Sequence, residues 1–147
     1  MKVIAAADIG GTAIKVGLMR GSEILARSEI PAFATEGLRP ALKRIRNIWL
    51  DQATSLGLSA STITGAGLSF PGIVDPRSGQ VWITPAGKFD DARDLDLHGW
   101  AEEQMRLPLV VCNDAKAALI GEWRYGAARG VANAVMMTSE RESAPPY

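Results

Sequence analysis

Apolar and polar residues recur along the chain in patterns that divide it into short elements. Val3 to Ala7 is an apolar run, and Ile14, Val16 and Leu18 alternate with smaller or polar residues. Each pattern predicts a strand, and the glycines between them predict a tight turn. Residues 2–9, 12–20 and 22–30 read as three consecutive strands, with a second turn at Arg20-Gly21-Ser22, so the pattern predicts an antiparallel meander. Pro31 ends the third strand because it has no N–H to give to a ladder. Leu38, Leu42, Ile45, Trp49, Ala53 and Leu56 follow at steps of four, three, four, four and three, one face of a helix of about five turns. Pro40 is harmless near the start of that helix, and Gly57 is a natural stop. Lys43, Arg44 and Arg46 are expected on its solvated face.

Ile63 to Phe70 predicts a glycine-rich strand, Pro71-Gly72 a turn, and Gln80 to Thr84 a short strand entered through Ser78-Gly79. Residues 84–91 show no hydrophobic period and read as a loop, in which Pro85-Ala86-Gly87-Lys88 can line a cleft, with Lys88 expected on the surface. Leu97, Trp100, Ala101 and Met105 mark a second helix, capped by Asp94 or Asp96. Pro108 opens a buried type of strand, Leu109 to Cys112. A helical pattern then begins at Ala115 and runs through Ala118, Leu119 and Glu122. Ala132 to Met137 predicts the start of one more strand.

Composition narrows the classes. The 147 residues suffice for a domain with a real core, and 47% hydrophobic with 22% charged residues is ordinary for a globular protein. Sixteen basic and sixteen acidic residues cancel, so net charge gives nucleic-acid binding no support. No run reaches the length of a membrane span, and the start, Met1-Lys2-Val3-Ile4, enters a strand rather than a signal peptide. One cysteine, Cys112, cannot make an internal disulfide or a zinc site alone, and its apolar run predicts a buried, inert thiol. A reducing cytoplasm fits this usage. The only histidine, His98, falls on the second helix without a catalytic or metal-binding partner nearby in sequence.

Candidate chemistry gathers at three places. In Asp8-Ile9-Gly10-Gly11-Thr12-Ala13-Ile14-Lys15, the glycines permit positive φ and close approach to the backbone. Free N–H groups of such a turn, with the Thr12 hydroxyl, can face phosphate oxygens. Asp8 can hold Mg²⁺ through water, since that ion dehydrates reluctantly, and Lys15 can bring a positive charge. A plain hairpin turn is the competing reading. Pro71-Gly72 leaves room for a ligand against the backbone. Asn113-Asp114 stands where a strand hands over to a helix, the edge of an α/β sheet where ligands bind, although Asp114 also suits a helix cap.

Taken together, residues 8–18, 69–75 and 113–130 resemble, in order and spacing, the ROK family of sugar kinases and repressors, within the superfamily of actin-like ATPases. The resemblance covers residues 2–137. It implies an α/β fold of the ribonuclease H-like kind: a three-strand antiparallel meander followed by alternating helices and strands. It implies an ATP- and Mg²⁺-dependent phosphorylation of a hexose or N-acetylhexosamine hydroxyl, with glucose, N-acetylmannosamine, fructose and allose in the family's range. On it, Asp8, Gly10, Gly11, Thr12 and Lys15 serve the nucleotide. Pro71, Gly72, Asn113 and Asp114 serve the sugar, and Asp114 is the catalytic base. The loop 84–91 holds no asparagine where many members place one on the sugar, and Lys116 stands where the family often repeats asparagine. A sugar-binding ROK protein without catalysis, or a fragment derived from a repressor, is the alternative, though the helix-turn-helix domain usual in repressors is not seen before the first strand.

After Met137 the pattern breaks into Thr138-Ser139-Glu140-Arg141-Glu142-Ser143-Ala144-Pro145-Pro146-Tyr147, charged and rich in proline. The family would continue here with a second glycine-rich phosphate loop. One coding of residues 138–147, read from its third letter, gives Leu-Gly-Thr-Gly-Ile-Gly-Thr-Ala-Val. The expectation is therefore an N-terminal domain over 1–137, an aberrant or disordered tail over 138–147 produced by loss of one base, and a missing C-terminal domain. That missing half would carry the adenine pocket and the zinc motif of many members. The fragment is expected to be inactive alone, and its exposed apolar edge makes a homo-oligomer an expectation.

Overall fold

The structure, a computed structural model, describes residues 2–138. It divides between Asp114 and Ala115 into two compact units. In the first, β1 (Val3–Ile9), β2 (Ala13–Arg20) and β3 (Glu23–Pro31) form the expected meander. A single 3-10 turn leads into α1 (Leu38–Ser55), and then β4 (Ile63–Phe70) returns parallel to β1. A small hairpin of β5 (Ile73–Val74) and β6 (Val81–Ile83) precedes α2 (Leu97–Met105), and β7 (Leu109–Asn113) lies parallel to β4. The main sheet has the order β3-β2-β1-β4-β7.

Register explains the core. Ala5 sits beside Leu18 and Ala66, Ala7 beside Val16 and Leu68, and Leu68 beside Val111. These residues share one face, all buried, and α1 turns Leu38, Ala41, Leu42, Ile45, Trp49 and Ala53 into the same cluster. Five of them are on the face expected from the sequence, while Leu56, expected to close that face, lies past the helix end and is exposed. Trp49 is fully buried and donates its indole N–H to the Ala6 carbonyl at 3.1 Å, so its polar atom is satisfied as its ring fills the core. Gln52 ties the next turn to β2 and β3, donating to Val16 O at 3.2 Å and Ser28 Oγ at 3.0 Å.

Several sequence expectations change here. Arg44 is half-buried rather than solvated. Its guanidinium donates to the carbonyls of Pro31 and Ala32 at 2.7 and 2.8 Å and lies over the Phe33 ring, because α1 runs back along the end of β3. Arg46 likewise reaches the Gln104 carbonyl at 3.2 Å. Asp96, not Asp94, caps α2, accepting from Gly99 N at 2.8 Å. Pro31 is the last residue of β3 and pairs with Ala13. Cys112 is half-buried, on the row of β7 that faces away from the core.

The second unit holds α3 (Asp114–Tyr125), a turn that Glu122 closes on Ala127 N at 2.8 Å, and Trp123, whose indole donates to Val131 O at 3.1 Å. The expected strand over 132–137 does not form. Strand residues need a neighbour for their N–H and C=O groups, none of these has a ladder partner among the described residues, and Val135 and Met137 stand 93% and 94% exposed. Residues 139–147, most of the expected tail, lie outside the described residues. No helix among the described residues is long and apolar enough to cross a membrane.

Removing the core's largest side chain tests this packing. Trp49→Ala should lower the unfolding free energy by about 3–5 kcal/mol, read from urea denaturation of the purified chain. An unchanged midpoint would contradict the burial described.

Candidate active site

The parallel strands β1, β4 and β7 all end at one edge of the sheet. Each of the three sequence motifs begins there, at the last residues of one of these strands. Asp8 lies beside Ser69, and Ser69 beside Cys112; one step further, Phe70 lies beside Asn113. Asp8 and Asn113 are thus two strand spacings apart, about 10 Å across the edge. Open α/β sheets bind ligands outside the carboxyl ends of their strands.

The turn after β1 is closed by Gly10 N donating to Ala13 O at 3.0 Å. A methyl group on Gly10 would lie 2.6 Å from that same oxygen. Neither Gly10 nor Gly11 has positive φ, so close approach, not left-handed backbone, is what requires them, which narrows the sequence expectation. The N–H groups of Gly11 and Thr12 meet no acceptor among the described residues. Thr12 is exposed, and its carbonyl is taken by Ala32 N at 2.8 Å. Lys15 is exposed and pairs in register with Asp8, on the sheet face away from α1.

Asp8 is exposed, and its carboxylate accepts a short hydrogen bond from the Ser69 hydroxyl. That bond orients the carboxylate and leaves its other oxygen toward solvent. Among the described residues no three His, Cys, Asp or Glu side chains converge. One carboxylate beside a hydroxyl suits a Mg²⁺ that keeps its waters and takes phosphate oxygens, rather than a protein cage.

Pro71-Gly72 bridges β4 and β5. A methyl group on Gly72 would collide with the Ile83 carbonyl and lie 2.8 Å from the Phe70 ring, so only glycine fits. Asn113 donates from its amide to the Gly72 carbonyl at 2.8 Å, which ties the end of β7 to this turn. Asp114 is the first residue of α3, and it is exposed. Asp75 belongs to a local turn: its carboxylate accepts from Arg77 N at 3.0 Å and Ser78 Oγ at 2.7 Å. The Arg77 N–H, then the Ser78 hydroxyl, hold its pKa below the usual carboxylate value.

Three residues have partners that the sequence did not show. Ser69 supports Asp8. Lys88, expected on the surface, is half-buried and runs across Gly11: a methyl there would lie 2.8 Å from its Nζ. Asp91 leaves the loop to cap α1, accepting from Leu38 N at 2.5 Å and Arg39 N at 2.9 Å. Each pairing, that of Lys88 with Gly11 included, joins residues more than 50 positions apart. A cavity of about 450 Å³ between β3 and α1, lined by Arg27, Ser28, Asp51 and Gln52 among others, includes none of the site residues.

The five-strand order and the glycine turn define an α/β layer of the actin-like ATPase kind. The sequence matches the ROK family over residues 4–141, and the chain belongs to that family. It is 31% identical over 132 residues to a glucokinase of Halalkalibacterium halodurans, covering 89% of this chain and 39% of that protein. It is 35% identical over 122 residues to a beta-glucoside kinase of Listeria innocua, covering 81% of this chain and 37% of that protein. Among solved structures, a ROK family glucokinase from Streptomyces griseus in complex with glucose and AMPPNP aligns with a TM-score of 0.65 at 29% identity, over 87% of this chain and 38% of that one. The chain therefore spans about two fifths of the length of these relatives.

Gly72→Ala should destabilise the fold by about 1–3 kcal/mol, since the Ile83 carbonyl cannot move without opening the β5–β6 hairpin. Thermal unfolding measures this, and an unaltered melting temperature would show that the turn has room to spare.

Proposed function

We propose that this chain carries the phosphate-turn and base half of an ATP-dependent sugar kinase acting on a hexose or N-acetylhexosamine. The observation that carries the reading is the common edge: the glycine turn, Pro71-Gly72 and Asn113-Asp114 follow three neighbouring parallel strands. The relatives named as glucokinase and beta-glucoside kinase support the reaction class.

Phosphoryl transfer needs position and charge more than covalent help. The Gly11 and Thr12 N–H groups and the Lys15 ammonium face the nucleotide phosphates. Asp8, held by Ser69, is the residue for Mg²⁺ through water, and the ion would offset phosphate charge. Asn113 and the Pro71-Gly72 turn seat the sugar. Asp114 takes the hydroxyl proton as the sugar oxygen attacks the γ-phosphorus and the bond to ADP breaks. A carboxylate is a weak base, so that transfer accompanies bond formation. The presence of both Asp8 and Asp114 favours this reading over a sugar-binding protein without catalysis. We also propose that the 147 residues alone show little turnover, and that the reading frame shifted by one base after Met137 encodes the rest of the site.

Two proteins test this: the 147-residue chain, and the chain continued in the shifted frame. The continued protein should release ADP in a sugar-dependent way, and Asp114→Asn should cut kcat about 10²–10⁴-fold. Robust turnover by the short chain, or full activity in Asp114→Asn, would overturn the respective proposal.

A further inference from the structure

Lys88 is the residue of this edge that neither the family motifs nor the hydrophobic pattern singles out. Its backbone is pinned on both sides. Lys88 N donates to Pro85 O at 3.0 Å across the turn at Gly87, whose φ is +67°. Next to it, Phe89 is fully buried, donates its N–H to Ala34 O at 2.8 Å, and packs its ring against Phe70 at 5.8 Å between centroids. Two residues further, Asp91 is fastened to the start of α1. The side chain then has a defined direction. A methyl group built on Gly11 would lie 2.8 Å from Nζ, 3.2 Å from Cδ and 3.5 Å from Cε. The missing side chain of Gly11 is the space that Lys88 occupies.

The Lys88 ammonium lies beside the turn at Gly11. Among the described residues it has no carboxylate, carbonyl or hydroxyl partner. The N–H groups of Gly11 and Thr12 in that turn also lack acceptors among the described residues. A half-buried lysine beside a turn with two unused N–H groups is an unfavourable arrangement by itself. It becomes favourable when a multiply charged oxyanion enters, because each donor then makes a charge-assisted hydrogen bond. A surface lysine with no function would instead extend its flexible stem into water.

We propose that Lys88 is a phosphoryl-binding residue, whose ammonium and the Gly11 and Thr12 N–H groups together hold the phosphate passing between nucleotide and sugar. The inference rests on the kinase reading above and adds a cation from the loop 84–91 to that site. It also gives Gly11 a reason beyond backbone approach: any side chain there displaces the lysine.

Calorimetric titration of the 147-residue chain with sodium triphosphate, and separately with glucose 6-phosphate, tests the assignment at low salt. Lys88→Met keeps the length and packing of the stem without the charge, and Lys88→Arg keeps the charge. Lys88→Met should weaken phosphoanion binding about tenfold and flatten its salt dependence, while Lys88→Arg stays within about threefold of wild type. Melting temperatures of the three proteins should agree, which separates lost charge from lost structure. Loss confined to triphosphate assigns Lys88 to the nucleotide side, and loss confined to glucose 6-phosphate to the sugar side. Wild-type binding that Lys88→Met leaves unchanged, or no binding by wild type, overturns the inference. The turnover assay on Asp114→Asn judges the kinase reading separately.

Discussion

The pairing of β1 on both sides is the constraint on which this molecule depends. β1 runs antiparallel to β2 and parallel to β4, and its odd residues, Val3 to Ile9, enter the core while its even residues face away. A strand has a side-chain period of two, so a slip of one residue would bury Asp8 and expose Ile9. The burial of four apolar residues opposes that slip. The same register places Asp8 beside Ser69 and fixes where the glycine turn begins. Core packing and the position of the acid are therefore set by one hydrogen-bond ladder.

Side-chain bonds then stiffen the edge where the ladder ends. The Ser69 hydroxyl joins β4 to β1, and the Asn113 amide joins β7 to the turn after β4. Both are polar groups at the rim of an apolar core, where a satisfied hydrogen bond is favourable and an unsatisfied one is costly. Asn113 thus has a positioning role visible in the fold, beside the role proposed toward a sugar hydroxyl. The N–H groups of Gly11 and Thr12 are the opposite case: they meet no acceptor among the described residues.

Much of the fold was legible in the sequence because its signals are local. The apolar run of β1, the alternation in β2, the three-and-four spacing of α1 and the Pro-Gly turn each appear within a short window. Asp96 could be narrowed to one of two caps by position alone. Long-range effects were hidden. Asp91 caps a helix that starts 53 residues earlier, and Arg44 is drawn to two carbonyls at the chain end of β3, facts that no periodicity contains. The strand expected over 132–137 failed for the converse reason, since an apolar alternation is only an offer of pairing and needs a neighbour. At the site, the three motifs were legible as residues and Asn113-Asp114 as a sheet edge, while the edge they share came from the strand pairing. The roles of Ser69 and Lys88 were not legible, because a lone serine or lysine carries no pattern until the fold supplies its neighbours.

The loop 84–91 has a consequence for how such a protein can change. Within eight residues it contains a cation over the glycine turn, an aromatic anchor in the core and the cap of α1. Specificity loops are commonly free to accept insertions, because little of the scaffold hangs on them. This one is different: exchanging it for a longer or differently shaped segment would unfasten a helix end worth about 1 kcal/mol or more. Change in this loop is therefore more readily reached by point substitution at an exposed position such as Ala86 than by grafting a new segment.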